Sequence, residues 1–246
     1  MSSTDRPVRI GGIEVDRGLA LESARTYLSR RDRFGYPAYD SFGEGGPWQI
    51  SDADIVAPVL LNAEMNSRTY YALEDIRGHL EGWLVTVPLD ARLIEAGPAE
   101  LAQLGELFSV LDSENLPVDA RGSILAKVMH RKRPAFIPLY DRFVDYCYRG
   151  IDNAPIPKNR KRGWRQFLPL LGQAIIDDLV EGKDFFDEVA ALAAGPVITP
   201  LRALDIVAWH AGRSKIGPAI WAASTPPEPD AENGEPAAVE PDDEQP

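Results

Sequence analysis

The stretch Thr199-Pro200-Leu201-Arg202-Ala203-Leu204-Asp205-Ile206-Val207-Ala208-Trp209-His210-Ala211-Gly212 constrains the fold more than any other part of the chain. Thr199 offers a side-chain cap, Pro200 suits the first helical position, and Gly212 marks an expected end after Ala211. Between them Leu201, Leu204, Ile206, Val207, Ala208 and Trp209 spread almost all round the helix. A helix apolar on nearly every side has little face for water, so it is expected to run through a core that other helices enclose. Arg202 and Asp205 lie one turn apart there, and a structural ion pair is expected, because a lone buried charge is costly.

Strand patterning is confined to Val8-Arg9-Ile10-Gly11-Gly12-Ile13-Glu14-Val15, which alternates around a glycine pair and predicts a short hairpin. Helical spacing predicts further helices over Leu19–Arg31, Arg68–Trp83, Pro98–Leu111, Val118–Arg131, Leu139–Tyr148, Trp164–Val180 and Lys183–Ala194. Ser51 with Asp54 three residues on predicts another helix start, and Pro58 should kink or shorten that helix. The expected fold is all-α: an N-terminal arm over 1–16, then a compact bundle of about eight helices over 17–224. Thr225–Pro246 holds six prolines, eight acids and no base, with Val239 its only large apolar side chain, and is expected to be a disordered tail.

One cysteine, Cys147, excludes an internal disulfide, and three scattered histidines offer no metal cluster, so no metal or cofactor is expected. The first residues lack the apolar core of a signal peptide. No run approaches ~18 apolar residues, so the reading is a cytoplasmic protein that does not enter the membrane.

Charge narrows the partner. The net charge is −12, yet Arg121 to Arg165 carries 12 of the 26 Lys and Arg residues against three acids, Asp141, Asp145 and Asp152. Such an island meets something anionic or is covered by the chain's own acids. Its first cluster is Lys127, His130, Arg131, Lys132 and Arg133, at a predicted helix end where cations are favoured anyway. The second, Lys158, Arg160, Lys161, Arg162 and Arg165, begins in a proline-bounded loop and has no such reason. Phosphate contacts through these lysines and arginines predict binding to DNA or another polyanion, with Trp164 either stacking on a base or anchoring the next helix. The alternative is a non-enzymatic interaction module whose basic face meets an acidic protein or its own acidic tail.

Within the island, Pro138 is expected to open a helix and to place Asp141 in its first turn, facing exposed backbone amides. Capping is the commoner role for such an acid; catalysis is the sharper one. His130 near Asp141 would make an acid/base pair, although a histidine on the basic face is the commoner outcome, and the Gly-rich Tyr39–Gly46 loop would be a lid or, more commonly, a plain connection.

The motif Lys132-Arg133-Pro134-x-x-Ile137-Pro138-x-x-Asp141, with Leu201–Trp209, resembles an uncharacterised family of high-GC Gram-positive bacteria over roughly Tyr36 to Gly212. More remotely, Leu116 to Val144 resembles the central segment of the helix-hairpin-helix DNA glycosylases. That resemblance implies a helical fold, a DNA partner and a catalytic role for Asp141. The chain departs from the pattern at Leu116-Pro117-Val118-Asp119-Ala120-Arg121, which lacks both hairpin glycines, and at Gly122 or Ser123, where a lysine nucleophile would stand. Lys127 falls about a turn further on. The implied activity is therefore monofunctional, with Asp141 steering water or stabilising a sugar cation.

Overall fold

The computed structural model describes residues 6–43, 45–113 and 122–224, with 216–224 as backbone only. The expected acidic tail and the Leu116–Arg121 hairpin position lie outside the described residues. Two strands, β1 (Val8–Ile10) and β2 (Ile13–Val15), pair antiparallel with Ile10 opposite Ile13. Their turn needs glycine twice over: Gly11 has φ +58°, and a Cβ there would sit 2.3 Å from the Cys147 carbonyl oxygen. The hairpin is docked on the helical body. Val8, Ile10 and Ile13 are buried, and the Gly11 amide donates to Asp178 Oδ2 at 2.6 Å.

In chain order the first helices are α1 (Arg17–Ser29), α2 (Ala38–Ser41), α3 (Asp52–Val56), α4 (Ser67–Asp75), α5 (Arg77–Thr86) and α6 (Pro98–Ser109). Then come α7 (Gly122–His130), α8 (Arg142–Asp145), α9 (Trp164–Glu181), α10 (Lys183–Ala191) and α11 (Pro200–Ser224). The fold is compact and helical, as the periodicity predicts. α11 packs against α1, α8 and α10, while α6 and α9 form the other extensive pair. Leu201, Leu204, Ile206, Val207 and Ala208 are all buried, so α11 runs through the core as its composition requires. The Thr199 hydroxyl accepts from the Arg202 amide at 3.1 Å.

Local signals placed several starts. Ser51 and Asp54 form a reciprocal capping box on α3, and Pro58 turns that helix into a 3-10 segment over Ala57–Leu61. Elsewhere packing overrides them. The Arg68–Trp83 helix is broken at Ile76, which buries that side chain and lets Arg77 reach Asp52 at 2.6 Å. The Leu139–Tyr148 helix begins only at Arg142 and passes into a π turn over Tyr146–Gly150. Gly212 does not end α11, which runs on to Ser224. Its purpose is close approach: a Cβ there would lie 2.4 Å from the Phe143 carbonyl oxygen.

Candidate functional site: the Lys127–Asp141 cleft and the basic loop

The island's first cluster turns inward. Arg133 is 0 % exposed and Lys132 7 %, and both hold the chain from within. Arg133 donates to the carbonyls of Leu84 (2.7 Å), Val87 (3.0 Å) and Pro47 (3.0 Å), with Trp48 over its guanidinium. Lys132 pairs with the buried Asp54 carboxylate and donates to the Gly46 carbonyl at 3.3 Å. Arg131 reaches the other Asp54 oxygen at 3.0 Å and also donates to the Tyr39 and Phe42 carbonyls. The expectation that Arg131, Lys132 and Arg133 contact phosphate is corrected here: their donors are used to pin the Tyr39–Trp48 segment, leaving them recessed. That segment is thus a strapped connection.

Lys127 is also buried, at 7 % exposure, but differs from these three. Its ammonium has no hydrogen bond or ion pair among the described residues, and it lines a shallow cleft of about 70 Å³. Burial lowers its pKa against the attraction of Asp141 and Asp205. Asp141 lines the same cleft. One of its oxygens, Oδ1, caps α8 by accepting from the Phe143 amide at 2.8 Å and the Val144 amide at 3.0 Å. The other oxygen has no hydrogen-bond partner among the described residues.

The rest of the cleft comes from distant parts of the chain. Tyr27, Phe34, Trp209 and Tyr140 form aromatic walls, and the exposed Arg33 and Arg213 stand at the rim. At the floor, Arg202 pairs with Asp205 as expected, and also with Asp40 at 3.0 Å and the Tyr27 hydroxyl at 3.0 Å. Burial pushes the Asp205 carboxyl up to about 6 in spite of Arg202. His130 is not beside this carboxylate set. It lines a different concavity with Arg131 and Lys132, so His130 and Asp141 do not form an acid/base pair.

The second cluster faces solvent. Lys158, Arg160, Lys161 and Arg165 are exposed and Arg162 half-exposed. Lys158 donates to the Gly150 carbonyl at 3.2 Å and Arg162 to the Pro157 carbonyl at 3.0 Å, which shape the loop without neutralising it. Arg165 pairs with Glu106, whereas the side chains of Arg160 and Lys161 have no partner among the described residues. Asp112 fixes the end of the loop by accepting from the Trp164 and Arg165 amides at 2.7 and 3.0 Å. Trp164 is an anchor. It stacks on Phe108, covers Gly122 and meets the Tyr140 ring edge-on at 5.5 Å. Tyr140 also lines the cleft, so one aromatic contact joins basic loop and cleft.

Sequence reasoning found Asp141 and Lys127 but missed Arg33, Trp209 and Arg213 as members of one site. Only Asp205 carried a signal, as an acid on an otherwise apolar helix.

A helical protein with an aromatic-walled cleft, a buried ammonium without a partner among the described residues and an adjoining basic loop is the class these features define. The chain belongs to a family of unknown function, DUF6308, which matches residues 20–212. No curated protein and no solved structure matches the chain. Among the described residues no helix is long and apolar enough to cross a membrane.

Proposed function

We propose that the protein binds nucleic acid, holding the backbone on the Lys158–Arg165 loop and receiving one unpaired nucleotide in the Lys127–Asp141 cleft. The observation that carries this reading is that Lys127 and Asp141 line one cleft, where among the described residues the ammonium has no hydrogen-bond or ion-pair partner and one carboxylate oxygen has no hydrogen-bond partner. Aromatic faces suit a base drawn out of its stack, and the free ammonium suits its phosphate or exocyclic acceptors. Exposed lysines and arginines in a loop supply contacts that position a strand without reading its sequence. Any cleavage at the sugar would run through Asp141, whose charge can stabilise a developing oxocarbenium ion.

The test compares an intact duplex with one containing a single abasic site, using wild type and Lys127→Met. Wild type should bind both in a salt-dependent way and prefer the abasic duplex. Lys127→Met should keep the salt-dependent binding and lose the preference. Absence of salt-dependent binding to either duplex rejects the reading; retention of the preference in the variant removes the cleft from it. Capture of an acidic peptide in place of duplex would favour the interaction module.

A further inference from the structure

Lys127 and Lys132 are equally buried, at 7 % exposure each, yet only one of them is matched. Lys132 pairs with the Asp54 carboxylate and donates to the Gly46 carbonyl at 3.3 Å. Lys127 has neither a hydrogen bond nor an ion pair among the described residues, although Asp141 and Asp205 attract it from beyond ion-pair distance. Taking an unpaired ammonium out of water is costly, and that cost falls on the charged form alone. Burial therefore favours the neutral amine here more than at a paired lysine, and a neutral amine is a nucleophile. The position also opens on a cleft, so a reactant can reach it. Asp141 lines the same cleft, and the oxygen that it does not use to cap α8 has no hydrogen-bond partner among the described residues.

The surroundings decide what such an amine should attack. Acylation would leave a neutral amide, and carbon dioxide an anionic carbamate. Both discard a positive charge that Asp141 and Asp205 favour. An aldehyde keeps it. The amine attacks the carbonyl carbon, a C–N bond forms, and the C=O electrons pass to oxygen. The carbinolamine then loses that oxygen as water while the nitrogen lone pair makes C=N. Counted from the ammonium, one proton stays on the iminium nitrogen and two leave in the water, so the charge is the same before and after. The Asp141 oxygen outside the cap is available to pass those protons. The step needs no other reactant. Tyr27, Phe34, Tyr140 and Trp209 line the cleft, so a flat apolar body beside the carbonyl suits its walls.

We infer that Lys127 is an imine-forming amine whose ligand is an aldehyde with a flat, apolar body. This goes beyond the nucleic-acid reading, in which Lys127 only donates, and it is tested without nucleic acid. The probe is benzaldehyde with sodium cyanoborohydride, which reduces an iminium to a stable secondary amine. Full-length native protein is treated and each lysine is followed by peptide mass spectrometry. Lys132 is the buried, paired control, and Lys158, Lys161, Lys183 and Lys215 are the exposed ones. At neutral pH Lys127 should be alkylated several-fold faster than any of them in spite of its burial. Its rate should level off at a pH below the ordinary lysine value of about 10.4, since burial lowers its pKa. Benzyl alcohol, the same ring without the carbonyl, should slow labelling at Lys127 and leave the exposed lysines unchanged. Labelling of the exposed lysines with Lys127 unmodified overturns the inference. So does equal labelling of Lys127 and Lys132, because burial without a partner would then confer nothing. Fast labelling that benzyl alcohol does not slow overturns it too, by placing the reaction outside the cleft. Failure here leaves Lys127 a protonated donor and does not touch the comparison of intact and abasic duplexes.

Discussion

Arg133 donates from Nη2 to the Leu84 carbonyl at 2.7 Å and so closes the end of α5 from inside the core. The last carbonyls of a helix have no partner within it and carry the negative end of its dipole. A guanidinium, planar and permanently charged, meets several of them at once, and Val87 and Pro47 accept from the same group. Arg133→Met should therefore strand these carbonyls and cost about 3 kcal/mol or more, since each buried unsatisfied group costs roughly 1–3. Arg133→Lys should rescue only in part. Urea denaturation checks it, and an unchanged midpoint in Arg133→Met would remove the capping role.

That contact also explains what the sequence could and could not tell. The Ser51–Asp54 box, the Thr199 cap and the Arg202–Asp205 pair all rest on partners three residues apart, so spacing alone reveals them. Asp141 was recognisable as a helix-start acid for the same reason. The direction of Arg133 depends on residues 47, 84 and 87, and a count of positive charges cannot say which way a side chain points. The cleft is no more local: Tyr27, Arg33 and Asn62 meet Lys127 and Trp209 only after α11 has threaded the core.

Gly212 shows the same limit as a testable matter. At a helix end Gly→Ala would be mild, but here the added Cβ would stand 2.4 Å from the Phe143 carbonyl oxygen. Backbone cannot rotate away, so α8 must shift. Gly212→Ala should destabilise by roughly 2 kcal/mol or more, in the range of overpacked cores. Thermal unfolding that shows no loss would mean α8 and α11 tolerate separation.

For the exposed loop, nucleic-acid affinity should fall steeply with salt. If roughly five phosphates are neutralised, the log–log slope for duplex DNA is about −4 to −5. Replacing Lys158, Arg160, Lys161 and Arg162 together by Gln should flatten it without changing stability, because none of the four is buried. Removing 225–246, with its eight acids, should raise affinity at low salt if the tail competes for the loop. Equal binding by wild type and the quadruple variant would exclude the loop.

Buried acids and histidines set opposite pH trends. Burial raises the Asp178 carboxyl from 3.8 to about 6, so its contribution is full at low pH and is lost as pH rises through 6. Burial lowers His130 and His210 from 6.5 to about 4, so theirs is present above 6.5 and is lost as pH falls through 4. Asp178→Asn keeps an acceptor for the Gly11 amide and the Tyr148 hydroxyl but does not titrate. Between pH 5 and 7.5 wild type should lose about 1.4 kcal/mol relative to this variant. Parallel melting curves across that range would show that Asp178 keeps an ordinary carboxylate affinity for protons.

Asp141 separates capping from chemistry. Its Oδ1 serves the Phe143 and Val144 amides, and an Asn oxygen can do the same. Asp141→Asn should therefore leave stability nearly unchanged, whereas Asp141→Ala should cost about 1 kcal/mol, the usual worth of an N-cap. The second oxygen has no part in the cap, so Asn keeps the cap and removes the charge. If the cleft acts on a nucleotide, Asp141→Asn should abolish turnover while binding stays equal or improves, because a carboxylate facing a polyanion has been neutralised. Single-turnover assays on duplexes carrying damaged bases, wild type beside variant, read the two apart. Cleavage persisting in Asp141→Asn rejects the catalytic role; no cleavage by either protein, with salt-dependent binding intact, leaves the cleft a receptor for a nucleotide it does not cut.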